Sequence, residues 1–109
     1  RKAERMLKKR GLQPVQRNFN GRVGEIDLII LDGESLVFVE VRYRSNPHFG
    51  TGADSVTVEK QRRVAQAARC FLQREKQHAW RPCRFDVVSV KREQGRPVMN
   101  WIRAAFEAA

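Results

Sequence analysis

Two strand-like runs decide how this chain reads: Gly24-Glu25-Ile26-Asp27-Leu28-Ile29-Ile30-Leu31 and Leu36-Val37-Phe38-Val39-Glu40-Val41-Arg42-Tyr43, separated by Asp32-Gly33. Both are rich in aliphatic residues, many of them β-branched, and Asp-Gly between such runs is a strong turn signal, so a hairpin is the simplest connection. Successive side chains of a strand point to opposite faces. That rule puts Glu25 and Asp27 on one face with Ile29 and Leu31. On the next strand it sets Val37, Val39, Val41 and Tyr43 against Leu36, Phe38, Glu40 and Arg42. Carboxylates therefore enter strands that are otherwise apolar.

The flanking segments complete an α/β pattern. Ala3, Met6, Leu7 and the stem of Arg10 recur at helical spacing before Gly11, predicting a helix over 2–10. Pro14 to Phe19 reads as a short strand, with Asn20-Gly21 as a turn. Residues 44–55 carry Pro47, Gly50 and Gly52 without periodicity and read as a loop. From Val58 to about Gln77, Val64, Ala67, Ala68, Phe71 and Leu72 form a helical stripe. Arg84 to Val90 is strand-like, Lys91 to Pro97 a charged turn, and Val98 to Ile102 a last strand followed by a small helical tail. Helices covering a mixed sheet is the expected layering.

The chain has 109 residues, which suits one domain over 1–109 rather than two. Lys and Arg number 22 and Asp and Glu 12, giving a net charge of +10. Charged residues make up 31% and hydrophobic ones 41%, so the positive charge sits on a folding chain and points to an acidic partner. No apolar stretch approaches the roughly 18 residues of a membrane span, and the start lacks the order of a secretory signal. No membrane association and a cytoplasmic location are the expectations. Because the chain begins with Arg1, a few residues are expected upstream. Cys70 and Cys83 are too few for a disulfide scaffold and form no CxxC pair, and His48 and His78 are isolated, so all four read as packing or surface residues.

Burying a carboxylate without compensation costs several kcal/mol and demands a partner or a metal. If the two strands are neighbours, Glu25 and Asp27 converge with Glu40, and oxygen donors favour Mg²⁺ or Mn²⁺ over zinc. Arg42 shares the face of Glu40 and is placed to balance charge or hold phosphate. The alternative is that the acids lie on a solvated face and pair with arginines. Arg17, Arg22, Arg44, Lys60, Arg62, Arg63 and Arg69 are candidates for phosphate contacts, each with a solvated surface charge as its alternative. Tyr43, Phe49 and Trp80 are candidates to stack on exposed bases, with core or loop packing as the favoured reading, and Phe71, Phe85 and Phe106 read as core.

Gly24-Glu25-Ile26-Asp27-Leu28-Ile29 and Val37-Phe38-Val39-Glu40-Val41-Arg42-Tyr43-Arg44 closely resemble the YraN family, itself similar to restriction endonucleases and archaeal Holliday-junction resolvases. Gly50, Lys60-Gln61-Arg62-Arg63 and Cys83-Arg84-Phe85-Asp86-Val87-Val88 extend the likeness over nearly the whole chain. The resemblance implies a restriction endonuclease-like three-layer core, with a mixed central sheet flanked by helices. It implies that Asp27 and Glu40 are the metal-binding acids of a nuclease motif and that Arg42 stands where a lysine is usual. Glu25 would be accessory, and Lys60 a second basic contributor. The family's glutamate on the first helix would fall just before Arg1, not at Glu4. A metal-dependent endonuclease acting on DNA, including branched DNA, is the implied activity. RNA stays open as a partner, and pairing of sites in a homodimer is a further expectation. The alternative is an inactive nucleic-acid-binding or repair-complex module.

Overall fold

In a computed structural model of the chain, residues 2–44 and 56–107 are described. Helix α1 spans Lys2–Lys9, followed by strands β1 (Gln13–Asn20), β2 (Glu25–Asp32) and β3 (Ser35–Arg44). Helix α2 (Val58–Arg74) and a short 3₁₀ turn (Lys76–His78) lead to β4 (Cys83–Glu93) and β5 (Arg96–Phe106). The five strands form one sheet in the order β1-β2-β3-β4-β5. Every neighbouring pair is antiparallel except β3 and β4, which are parallel and joined through α2. Two parallel neighbours need a crossover of this kind.

The sheet separates two apolar layers, giving the three-layer α/β architecture of a restriction endonuclease-like core. On one face Phe19, Ile26, Ile29, Leu36, Phe38 and Phe85 pack against Val64, Ala65, Ala67, Ala68 and Phe71 of α2. On the other, Leu28, Ile30, Val37, Val39, Val88 and Val90 meet Ala3 and Leu7 of α1. The alternation in β3 does what period two requires, since Phe38 and Val39 fall on opposite faces. Strands buried on both faces read as continuous apolar runs, as β2 and β3 do. Thr57 caps α2 by accepting from the Lys60 N–H at 3.1 Å. Among the described residues no helix is long and apolar enough to cross a membrane.

Several expectations need correcting. The hairpin turn after β4 is confined to Gln94 and Gly95, both with positive φ, so the charged segment 91–97 mostly belongs to the strands. The expected helical tail is strand: β5 continues to Phe106, which stacks on Phe85 with ring centroids 5.2 Å apart. Helix α2 ends at Arg74, where the Glu75 N–H bonds to the Phe71 carbonyl, and only the 3₁₀ turn follows. Tyr43 is 79% exposed instead of joining the inward valines, because β3 outruns its neighbour β2 there. Trp80 is also exposed, lying against the Arg81 guanidinium. His78 stacks near Phe71 and accepts from Arg81 Nε at 2.9 Å, while Cys70 and Cys83 are free thiols. The loop expected over 44–55, with Phe49 and His48, falls outside the described residues except for Arg44, which ends β3.

The turn between β1 and β2 lies directly on α2. A Cβ at Gly24 would sit 3.1 Å from both the Cβ and the carbonyl oxygen of Arg63, and one at Gly21 would sit 3.2 Å from Ala67 Cα. Backbone atoms of a helix yield little, so Gly24→Ala should lower stability by about 1 kcal/mol, overpacking outweighing the entropy gained by losing a glycine. The check is a lower urea midpoint at unchanged slope; an unchanged or higher midpoint would show that the turn can lift off the helix.

Candidate functional site

The face alternation of β2 slips at Asp27. Ile26 packs toward α2 and Leu28, two residues on, toward α1. The neighbouring strand makes the same change: Arg17 pairs with Leu28 and Phe19 with Ile26, and between them Asn18 adopts a left-handed φ of 49°. Asparagine tolerates that region better than most residues. The ladder between β2 and β3 starts only at Leu28 and Val39, so Asp27 stands where the two strands part. There its carboxylate accepts the Val41 N–H at 2.8 Å. Strict alternation, which put Asp27 on a continuous face with Glu25, Ile29 and Leu31, therefore fails at this point.

Glu40 comes from the facing strand. It follows Phe38 toward α2, is 2% exposed, and has Lys60 Nζ 3.6 Å from Oε2. Its other oxygen, Oε1, is buried without a hydrogen-bond partner. Burial pushes the Glu40 carboxyl up to about 7, the negative charge of Asp27 adds to the rise, and Lys60 and Arg42 oppose it. Arg42, Thr57, Glu59, Lys60 and Arg63 line a cavity of about 240 Å³ beside this acid. The Thr57 cap fixes the first turn of α2, which carries Lys60 to the site.

Asp27 also borders a second cavity, of about 100 Å³, lined with it by Ala3, Glu4, Arg17, Leu28, Val41 and Tyr43. Glu4 is the residue that sequence reasoning missed. It is 7% exposed, and the Arg17 guanidinium spans both its oxygens, Nη2 lying 2.9 Å from Oε2. The hydrogen bond from Arg17 holds the Glu4 carboxyl below its usual range against the effect of burial. Its signal was available: Glu4 stands three residues before Leu7, on the inward stripe of α1, with a basic residue on the next strand to meet it.

The other candidates divide by position. Glu25 is exposed at the end of the β1–β2 ladder, opposite Asn20. Among the described residues no group of three His, Cys, Asp or Glu side chains stands close enough to hold a metal ion, so Glu25 does not join Asp27 and Glu40 in a three-acid cluster. Arg62 and Arg63 are exposed on α2, with Arg63 paired to Glu59. Arg22 and Arg69 border a separate groove, whereas Arg17 belongs to the α1 side with Glu4. Arg44 is the last residue of β3, in register with Lys91.

Two carboxylates, one with an unpartnered buried oxygen, fit a hard divalent cation, since Mg²⁺ is commonly held by one or two carboxylates with water and substrate phosphate completing its shell. Asp27 and Glu40 would hold it. Of the three basic side chains lining the cavity beside Glu40, Arg63 is paired with Glu59, and Arg42 and Lys60 could then meet an anionic substrate.

Comparison with known proteins bears on this arrangement. A family model described as "Uncharacterised protein family UPF0102" matches residues 1–90. A UPF0102 protein of Nitrosococcus oceani is 51% identical over 100 residues, covering 92% of this chain and 81% of the relative. One from Stutzerimonas stutzeri is 47% identical over 98 residues, covering 90% and 82%. Another, from Alcanivorax borkumensis, is 47% identical over 107 residues, covering 97% and 86%.

Proposed function

The chain belongs to the uncharacterised protein family UPF0102, homologous to restriction endonuclease-like and Holliday-junction resolvase-like proteins, and from that membership we propose that it is a metal-dependent endonuclease hydrolysing DNA phosphodiester bonds. The observation that carries the reading is Glu40: a buried carboxylate with an unsatisfied oxygen, beside Asp27, where β2 and β3 part.

A bound Mg²⁺ or Mn²⁺ ion would supply Lewis-acid chemistry, polarising the scissile phosphate and lowering the pKa of the attacking water. Asp27 and Glu40 would hold it, and the Val41 N–H fixes the Asp27 carboxylate in place. Arg42 and Lys60 border one cavity and supply positive charge for nonbridging phosphate oxygens. A guanidinium offers donors and no acceptor, so Arg42 binds phosphate rather than acting as a base. The proton on Glu40 competes with the cation, so cation affinity is expected to rise as pH increases through about 7.

The test is cleavage of branched, duplex and single-stranded DNA with Mg²⁺ or Mn²⁺, comparing the protein with Asp27→Asn. The variant should lose more than the roughly 100-fold typical of outer-shell substitutions while still binding DNA. Cleavage at the unaltered rate would overturn the assignment. The same substrates, with the mass of the complex in solution, check preference for branched DNA and pairing in a homodimer.

A second reading, a non-hydrolytic nucleic-acid-binding module, draws on the two-acid rather than three-acid arrangement and on Arg42 in place of lysine. Salt-sensitive DNA binding without metal-dependent cleavage of any of these substrates would favour it.

A further inference from the structure

The outer surface of α2 leads away from the paired carboxylates to a second basic feature. Beyond the β1–β2 turn lies a groove of about 560 Å³ lined by Arg22, Arg69 and Arg74, by the amides of Gln66 and Gln73, and by a valine and a cysteine. None of the described residues lining it is acidic. The turn that brings Arg22 there is seated on α2 by the close approaches of Gly21 to Ala67 and Gly24 to Arg63, which fixes its position relative to the helix. Arg74 is also held, over the Phe19 ring at 5.3 Å and with Nη1 3.5 Å from the Asn20 carbonyl oxygen. A guanidinium has five donors, so this anchoring leaves others for a ligand.

We infer that α2 carries a phosphate-backbone track for a double-stranded DNA arm, running from Lys60 at the carboxylate site to the groove of Arg22, Arg69 and Arg74. It rests on the endonuclease reading of that site, to which it adds the path of the flanking DNA. Helical rise places Arg74 about 21 Å along the axis from Lys60, matching about six base-pair steps of duplex. Charge complementarity selects a polyanion. Among the described residues none lining the groove is aromatic, so it offers no stacking platform of the kind typical of single-strand recognition and suits contacts to backbone.

The experiment measures duplex DNA binding without divalent cation over about 50 to 200 mM salt. Arg22→Ala/Arg69→Ala should reduce the magnitude of the salt slope by about 1.8, at 0.9 per phosphate contact, whereas Arg22→Lys/Arg69→Lys should keep it. Single-stranded DNA of equal length should lose less than the duplex. An unchanged slope in the alanine variant, an equal loss for single strands, or tighter binding of an RNA duplex would overturn the track. Should the double variant not fold, Arg22→Glu at the exposed turn should lower the slope by at least about 0.9, and an unchanged slope there would be equally fatal. Asp27→Asn, assayed for cleavage of the same duplex, separates the two ideas. Lost cleavage in that variant with an unchanged groove slope would remove the track and leave the carboxylate site standing. The reverse pattern would remove the site.

Discussion

Exchanging Glu40 for glutamine should stop DNA cleavage and, at pH 8 without divalent cation, raise the thermal midpoint of the protein. Both effects have one origin. Burial raises the Glu40 carboxyl from 4.5 to about 7, so the folded state holds a proton that the unfolded chain has released. Below pH 4.5 both states are protonated and the group adds no slope. Between 4.5 and about 7 the folded state binds more protons, and stability falls as pH rises; above that the decline levels off. The full difference is on the order of 3 kcal/mol. Glutamine cannot ionise, so E40Q should escape the decline and gain about 2 kcal/mol at pH 8, after the lost Lys60 pair is counted, or roughly 10 °C in midpoint.

The measurement is thermal unfolding of both proteins from pH 5 to 8. That window avoids the opposite contribution of Glu4, whose lowered carboxyl value makes the Arg17 pair fail as the solution becomes acidic. Adding Mn²⁺ should then raise the midpoint of the original protein and leave that of E40Q nearly unchanged, because only a ligand preferring the folded state stabilises it. A flat profile for the original protein between pH 5 and 8 would remove the argument that Glu40 is strained at neutral pH. A variant that is destabilised at every pH would instead make Glu40 a structural residue.

Much of this arrangement was legible in the sequence because its causes are local. The spacing of Val64, Ala67, Ala68 and Phe71 gives the inner face of α2, and the alternation of Val37, Phe38, Val39 and Glu40 survives intact in β3. The acids were conspicuous for a simple energetic reason: carboxylates seldom sit within strands buried on both sides. What could not be read locally was the slip at Asp27. It depends on Asn18 of another strand taking a left-handed conformation, and a one-residue change of register sends every later side chain to the other face. The same limit hid the burial of Glu4, which needs Arg17 to cross from β1. It also hid the length of β5, whose continuation past Ile102 is secured by a residue on β4.

Two irregularities in the sheet, at Asp27 and at Asp86, are each occupied by an aspartate that accepts a main-chain N–H, yet the two have opposite consequences. Asp27 receives one main-chain bond and opens onto a cavity, so its remaining acceptor capacity is available for chemistry. Asp86 is fully enclosed and surrounded by donors. The difference separates a carboxylate placed to act from one placed to hold the fold, and it follows from how many donors each meets rather than from residue type.

Asp86→Ala should accordingly be the most destabilising of these substitutions, by about 3 to 5 kcal/mol, a large part of the 5–15 kcal/mol that holds a domain folded. Its Oδ1 accepts Arg84 Nε at 2.9 Å and the Ala104 N–H at 2.9 Å, and its Oδ2 accepts Arg84 Nη2 at 3.0 Å and Trp101 Nε1 at 2.8 Å. Ala104 is itself left-handed, with φ 49°, at the bulge where β5 departs from β4 between Phe85 and Val87. Alanine would leave the guanidinium, the indole N–H and the Ala104 N–H without their shared acceptor, with only Asp32, 3.1 Å from Arg84 Nη1, as partial compensation. Urea unfolding of Asp86→Ala, Arg84→Met and the combined variant would resolve the contributions. Removing both charges should cost less than the sum of the single changes, because neither is then left buried alone. A loss below about 1 kcal/mol for Asp86→Ala would mean that water replaces the carboxylate and that the end of β5 is held by the packing of Phe106 on Phe85.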